Sequence, residues 1–369
     1  MSINIQNVLR RKRLGFDDIT GLLSVEDPLE LKLLRKAAES VLIKECGNRT
    51  YFRGLVEFSN LCACDCYYCG IRKGNGNVHR YQMTKEQILA AARQCAALGY
   101  GSIVLQSGER RDRTFTDFVT DAVSAVKGST RSEALPDGLG ITLSMGEQDI
   151  TTFRRFRDAG AHRYLLRIET SSPALFRTIH PQSQTFESRR DCLHMLKDAG
   201  FQVGTGVMIG IPGQTIRDLA RDILFFRDMD ADMIGMGPYL IHPNTPMAIY
   251  REEIARRRVE IFRLALKMIA VTRLALRDIN IASATAFQAM SENGYEQALL
   301  HGANVIMPQL TPAEFRHEYL LYEGKPVRDE SAEQYKTVLE RRIISLGRIA
   351  GYDSWGDSLH FLRNSNYSA

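Results

Sequence analysis

From Gly54 onward the chain alternates short apolar runs with amphipathic stretches, and this rhythm is the strongest constraint on its fold. The apolar runs cover 55–58, 102–105, 141–144, 164–167, 203–209, 233–236, 280–282 and 304–306, eight in all. Between them a 3.6-residue period predicts helices near 85–98, 115–126, 150–158, 188–199, 215–228, 259–276 and 295–301. Strands each followed by a helix predict an α/β protein of the TIM type, a closed (β/α)8 barrel, with functional side chains at the C-terminal strand ends. Ahead of it, helical patterns at 16–23 and from Pro28 onward predict an N-terminal helical cap over residues 1–50. The barrel is expected to span 51–310, and 311–369 to form a C-terminal extension packed on it.

The first predicted strand runs into Glu57-Phe58-Ser59-Asn60-Leu61-Cys62-Ala63-Cys64-Asp65-Cys66-Tyr67-Tyr68-Cys69-Gly70. Four of the seven cysteines fall within eight residues, and Cys62, Cys66 and Cys69 have the spacing C-x3-C-x2-C. A short loop with that spacing bends three thiolates toward three irons of a cubane cluster and leaves the fourth iron open for chemistry. Zinc fits less well, because structural zinc takes two ligand pairs separated by a longer loop and no second pair exists here. A disulfide needs an oxidising compartment, and Met1-Ser2-Ile3-Asn4-Ile5 is not an apolar export signal. Cys46, Cys95 and Cys192 are spread along predicted helices, as core cysteines are.

Composition narrows the function classes. A formal charge of +5 in 369 residues is too small to argue for nucleic acid, and no dense basic run carries interleaved aromatics. Arg256, Arg257 and Arg258 stand beside Glu252, Glu253 and Glu260 and read as a solvated helix face. The most apolar long stretch, 261–279, is interrupted by Arg263, Lys267, Arg273 and Arg277, so no membrane span is expected. These features predict a soluble, cytoplasmic, single-domain protein.

Polar residues stand at several predicted strand ends: Gln106, Ser107 and Glu109 after the second, Ser144 after the third, and Arg167, Glu169 and Thr170 after the fourth. Each alone is an ordinary loop start; together they converge on one barrel mouth. The stretch from Gly204 to Thr215 contains Gly204, Gly206, Gly210 and Gly213, but Val207-Met208-Ile209 still reads as strand and Pro212 intervenes, which argues against a dinucleotide fingerprint.

The cysteine spacing, with Tyr68 just before its last member, resembles the radical S-adenosylmethionine (SAM) enzymes. In those enzymes SAM chelates the open iron, and an electron from an external donor cleaves it to methionine and a 5'-deoxyadenosyl radical. Further segments make the resemblance closer: Glu57-Phe58-Ser59-Asn60, Arg80-Tyr81, Val104-Leu105-Gln106-Ser107-Gly108-Glu109, Arg163-Tyr164-Leu165-Leu166-Arg167, Gly210-Ile211-Pro212-Gly213-Gln214-Thr215 and Gly302-Ala303-Asn304-Val305-Ile306-Met307-Pro308. Over nearly its whole length the chain is similar to the HydE family, the radical SAM maturases of iron-iron hydrogenase; methylornithine synthase and biotin synthase share part of the pattern.

That resemblance implies that Cys62, Cys66 and Cys69 hold one 4Fe-4S cluster. It implies a SAM site of Tyr68, Ser107, Glu109, Ser144, Glu169, Arg189 and Met208, with Arg189 on the carboxylate. It places Arg167, Met236, Thr285, Tyr319 and Tyr322 in a substrate chamber. The implied substrate is a small organometallic iron species carrying carbon monoxide, cyanide and cysteine, delivered by HydG, with the product passed to the scaffold HydF. Three departures stand out: no cysteine follows Cys192, so the accessory cluster of some relatives is not expected, and Ile168 and Ala284 stand where some relatives carry His and Thr. A paralogue acting on an amino acid or thioether, and a cluster-bearing scaffold or sensor that leaves SAM intact, remain as other readings.

Overall fold

The computed structural model describes residues 4–327 and 330–364; the first three residues of the opening segment, 328–329 and the last five residues of the predicted extension lie outside the described residues. The expected barrel is present. Its ring consists of β1 (Arg49–Ser59), β2 (Ser102–Ser107), β3 (Gly140–Ser144), β4 (Arg163–Leu165), β5 (Gln202–Thr205), β7 (Met233–Pro238), β8 (Asn280–Ser283) and β9 (Val305–Ile306). Every pairing is parallel, and the ring closes where Tyr51 and Phe52 of β1 pair with Val305 and Ile306 of β9.

The run 203–209 is broken rather than continuous. A separate short strand, β6 (Met208–Ile209), leaves the ring and pairs with Gly237 and Pro238 of β7. The break falls where the backbones crowd: a Cβ on Gly206 would lie 1.8 Å from the Gly235 carbonyl oxygen. It is held open by the chain beyond β4, since the Glu169 amide donates to the Gly206 carbonyl (3.0 Å) and the Met208 amide to the Glu169 carbonyl (3.1 Å).

Three N-terminal helices, α1 (Ile5–Leu9), α2 (Phe16–Leu23) and α3 (Pro28–Cys46), precede the ring. Helices α4 (Lys85–Ala97), α5 (Arg113–Ser129), α6 (Ile150–Asp158), α7 (Pro173–Ile179), α8 (Phe186–Asp198), α9 (Ile216–Asp228), α10 (Arg251–Arg256), α11 (Arg258–Ala275), α12 (Thr285–Met290) and α13 (Gly294–Leu300) surround it. Local sequence sets their starts: Thr84 with Gln87 and Thr215 with Asp218 form capping boxes that satisfy the first free amides of α4 and α9. Helix α2 packs on α9 and α3 on α11, where the buried Lys267 donates to the Val25 carbonyl (2.9 Å) and pairs with Glu26 (2.7 Å). Arg257 pairs with Glu253 and Glu260 on the exposed side of this region. Among the described residues no helix is long and apolar enough to cross a membrane.

The C-terminal extension reaches both ends of the barrel. After α14 (Ala313–Arg316) the irregular segment 317–327 crosses the mouth; α15 (Ala332–Ser345) then leads to β10 (Ile349–Gly351), which pairs with Arg49, Thr50 and Tyr51 of β1. The next residues close the opposite end, and α16 (Leu359–Asn364) follows. There the fully buried Arg53 and Arg163 find their acceptors in this segment. Trp355 oxygen accepts from Ser102 Oγ (2.8 Å) and Arg163 Nη1 (3.1 Å), and Gly356 oxygen from Arg53 Nη2 (3.1 Å) and Asn280 Nδ2 (2.8 Å). Asp357 pairs with Arg163 and meets His162 Nε2 at 3.0 Å. Burial would raise the Asp357 carboxyl, but the Arg163 charge overrides it and holds the group well below the usual range; burial and then Arg163 push His162 down to about 3. Asp357→Ala leaves Arg163 a buried cation without its acid, which should cost about 3–5 kcal/mol in urea unfolding. A loss below about 1 kcal/mol would show that the carbonyl acceptors suffice.

Candidate active site at the barrel mouth

Strand β1 delivers the chain to the mouth, where residues 60–83 form the cysteine-bearing loop. Two polar side chains fold it. Buried Asn60 donates to the His79 carbonyl (2.8 Å) and the Glu318 carbonyl (2.7 Å) and accepts from the Tyr81 amide (2.8 Å). Arg80 reaches four carbonyls, those of Asn60, Ile71, Arg72 and Asn75. The loop lies against the end of β2, where a Cβ on Gly108 would meet the Leu61 oxygen at 2.4 Å and Cys62 Cβ at 2.7 Å. From the other side the Gly70 amide donates to Leu321 oxygen (2.9 Å) of the segment that crosses the mouth.

These elements enclose a cavity of about 300 Å³. Cys62, Cys66 and Cys69 all line it, and so does Cys64. So do Tyr68, Ser107, Glu109, Ser144, Glu169, Arg189 and Met208, the residues proposed for SAM. Arg167, Thr285, Tyr319 and Tyr322 line it as well. Met236, expected in the chamber, does not line it. Side chains alternate along β7, so Gly235 and Gly237 face the cavity while Met236 is fully buried behind the sheet with its sulfur 4.0 Å from Thr272 of α11. Ala284 lines the cavity; Ile168 is buried in the core and is not on its wall.

The charges of the mouth are arranged in pairs. Arg189 donates from Nε to Glu147 Oε1 (2.6 Å) and from Nη1 to the Arg167 carbonyl (2.8 Å). Arg111 links Glu109 (2.8 Å) to Glu147 (3.2 Å). Burial would raise Glu147, but the Arg189 charge, with hydrogen bonds from Ser188 and Arg189, holds it below the usual carboxylate range. Arg189 is lifted above its ordinary value, because the Glu147 and Glu109 charges outweigh the burial that lowers it. Arg167 of the expected substrate chamber meets an anion supplied by the protein itself: Glu169 Oε2 lies 3.0 Å from Arg167 Nη2. That contact is not aligned as a hydrogen bond, and Glu169 Oε2 is buried without a hydrogen-bond partner, as is Arg167 Nε. Burial raises Glu169 despite the two arginines and a hydrogen bond with Tyr68. Its backbone is strained as well, with φ of 65° at a non-glycine residue.

The donor set fits an iron–sulfur cluster carrying a zwitterionic ligand. Three soft thiols share one cavity with the Glu169 carboxylate and the Arg167 and Arg189 guanidiniums, groups of the charges that a ligand's ammonium and carboxylate require. As free thiols the cysteines are not poised to ionise together: burial pushes Cys66 up to about 12, while a hydrogen bond with Cys64 brings Cys62 down to about 7. Bound iron deprotonates coordinating thiols outright. Sequence reasoning missed Glu147, Gln184 (to which the Cys66 thiol donates at 3.2 Å) and the buried pair Lys325–Glu57 (2.5 Å), which also line or border the mouth. The polar run after β3 pointed toward Glu147; Gln184 and Lys325 carried no local signal.

Residues 56–226 match the radical SAM superfamily. The chain is 39% identical to the FeFe hydrogenase maturase subunit HydE of Thermotoga maritima, over 94% of this chain and 95% of that one. It is 24% identical to the 3-methylornithine synthase of Methanosarcina acetivorans, over 91% and 90% of the two chains. Among solved structures, methylornithine synthase (PylB) superposes with a TM-score of 0.78 at 25% identity, covering 95% of this chain and 97% of that one. The maturase HydG from Carboxydothermus hydrogenoformans superposes with a TM-score of 0.77 at 15% identity, covering 97% and 81%, and shares the fold. Barrel, cysteine loop and superfamily match together define a radical SAM enzyme, a class whose members use a 4Fe-4S cluster and SAM. Within that class the chain belongs to the HydE family.

Cys66→Ser should abolish the brown absorbance of an anaerobically reconstituted cluster, because a hydroxyl replaces one of three thiolates. Cys64→Ser should retain it. Equal iron loss in the two variants would show that the triad is misassigned.

Proposed function

We propose that this chain is a cytoplasmic hydrogenase maturase carrying a single 4Fe-4S cluster on Cys62, Cys66 and Cys69. One cavity reaches from those cysteines past Glu169 and Arg189 to Arg167, Thr285 and Tyr322, and this continuity is the observation that carries the reading. When bound and reduced, the cluster supplies the electron that cleaves SAM and so provides a 5'-deoxyadenosyl radical. The protein's part is to hold, orient and exclude. Arg189 meets the SAM carboxylate and Glu169 the ammonium, with Ser144, Ser107 and Glu109 beside them; Tyr68 and Met208 flank the adenine.

Deeper in, the substrate is a small organometallic iron species bearing cysteine, received from HydG and passed on to HydF. Arg167 presents a side chain about one-third exposed to that substrate, and Thr285 and Tyr322 offer hydroxyls on the wall of the same cavity. With Ala284 on the wall where some relatives carry Thr, the chamber has one hydroxyl fewer than the family pattern implies, and recognition falls to fewer groups. Tyr319, Leu321, Tyr322 and Lys325 of the crossing segment complete the enclosure, which keeps water and bulk thiols from a radical.

An anaerobic turnover assay with SAM, reductant and the HydG product tests the reading. Wild-type protein should form 5'-deoxyadenosine in a substrate-dependent way, and Arg167→Ala should lose about tenfold or more of that coupled rate. SAM cleavage at the same background rate with or without the iron species would remove the maturase assignment and leave the amino-acid paralogue standing.

A further inference from the structure

Glu147 sits in the loop between β3 and α6, and three side-chain donors converge on its buried carboxylate: Arg189 Nε (2.6 Å), Ser188 Oγ (2.7 Å) and Arg111 Nη2 (3.2 Å). Arg189 needs such an acceptor for two reasons. It is buried, and it stands at the fourth position of α8, near the end where the helix dipole disfavours a cation. With Nε on Glu147 and Nη1 on the Arg167 carbonyl, the guanidinium plane has a single orientation, and Nη2 is the terminus that makes no hydrogen bond among the described residues.

We infer that Glu147 is a positioning residue for SAM: it aims Arg189 at the SAM carboxylate. The inference rests on the SAM reading of the cavity. Two effects of Glu147 oppose each other. Its negative charge partly cancels the attraction between Arg189 and a ligand carboxylate; its hydrogen bond keeps Arg189 pointed at that carboxylate. Aim prevails because of the neighbours. Glu109 and Glu169 line the same cavity as Arg189 and attract it, so without Glu147 the buried cation would turn to one of them and both arms of the zwitterion site would be lost.

Two conservative variants separate aim from charge. Glu147→Gln keeps an oxygen acceptor and loses the charge; Glu147→Asp keeps the charge and draws the carboxylate back by one methylene. SAM itself is the probe, titrated calorimetrically into anaerobically reconstituted protein of matched iron content. Glu147→Gln should stay within about threefold of wild-type affinity, and Glu147→Asp and Glu147→Ala should bind about tenfold or more weakly. In an Arg189→Ala background, adding Glu147→Ala should change affinity by less than about twofold. The inference is overturned if the Asp variant binds as wild type while the Gln variant does not, if the Ala variant binds SAM more tightly, or if the loss persists without Arg189. Absence of SAM binding by wild-type protein would instead overturn the SAM reading beneath it.

Discussion

A guanidinium taken out of water has to find acceptors, and this barrel buries such groups at both ends. At the closed end Arg163 is met by Asp357 and the Trp355 carbonyl; at the mouth Arg189 is met by Glu147 and the Arg167 carbonyl. Such pairs add little net stability, because desolvation consumes much of the Coulomb gain, but a mispaired alternative would leave a bare buried charge. They therefore specify which segments become neighbours. Arg163 draws in a segment 194 residues away in sequence, and Lys325 ties the crossing segment to Glu57 across 268. The ring of parallel strands sets the two ends, and the buried cations determine what closes each.

The site follows from the same constraint. Behind the mouth, the Ser171 amide and hydroxyl both donate to Asp222 Oδ1 (2.6 Å each), which ties the residues just beyond Glu169 to α9. Glu169 itself bridges to the broken β5–β6 segment through Gly206 and Met208. A strained residue held at both flanks has little freedom to relax, and its carboxylate is set 3.0 Å from the Arg167 guanidinium. Arg80 and Asn60 perform the equivalent service for the cysteine loop, fixing its backbone so that little ordering remains to be done on cluster binding.

Much of this was legible in the sequence, and the reasons are physical. Strand and helix periods are local, so the barrel could be read from them; the cysteine spacing is local as well. The errors arose where nonlocal geometry decides. Met236 is apolar and sits on a strand that lines the cavity, yet the alternation that brings Gly235 and Gly237 inward turns it away. The run 203–209 is uniformly apolar or small, and nothing within it records that Glu169 must enter beside Val207. β10 has three residues, too few for any period to show, and the closure by Trp355, Gly356 and Asp357 depends on arginines far away in the chain. Arg167 was visible as a cation, but its partner two residues on was assigned only to the cofactor.

Three thiols and a zwitterion site in one cavity would, on the function proposed above, bring SAM onto a reducible cluster. The electron paramagnetic resonance spectrum of the reconstituted, reduced protein, recorded with and without SAM, tests this directly. SAM should change the spectrum of the reduced cluster, and methionine and 5'-deoxyadenosine should then accumulate in equal amounts. A fully iron-loaded protein whose spectrum is indifferent to SAM, and which yields neither product, would contradict that function.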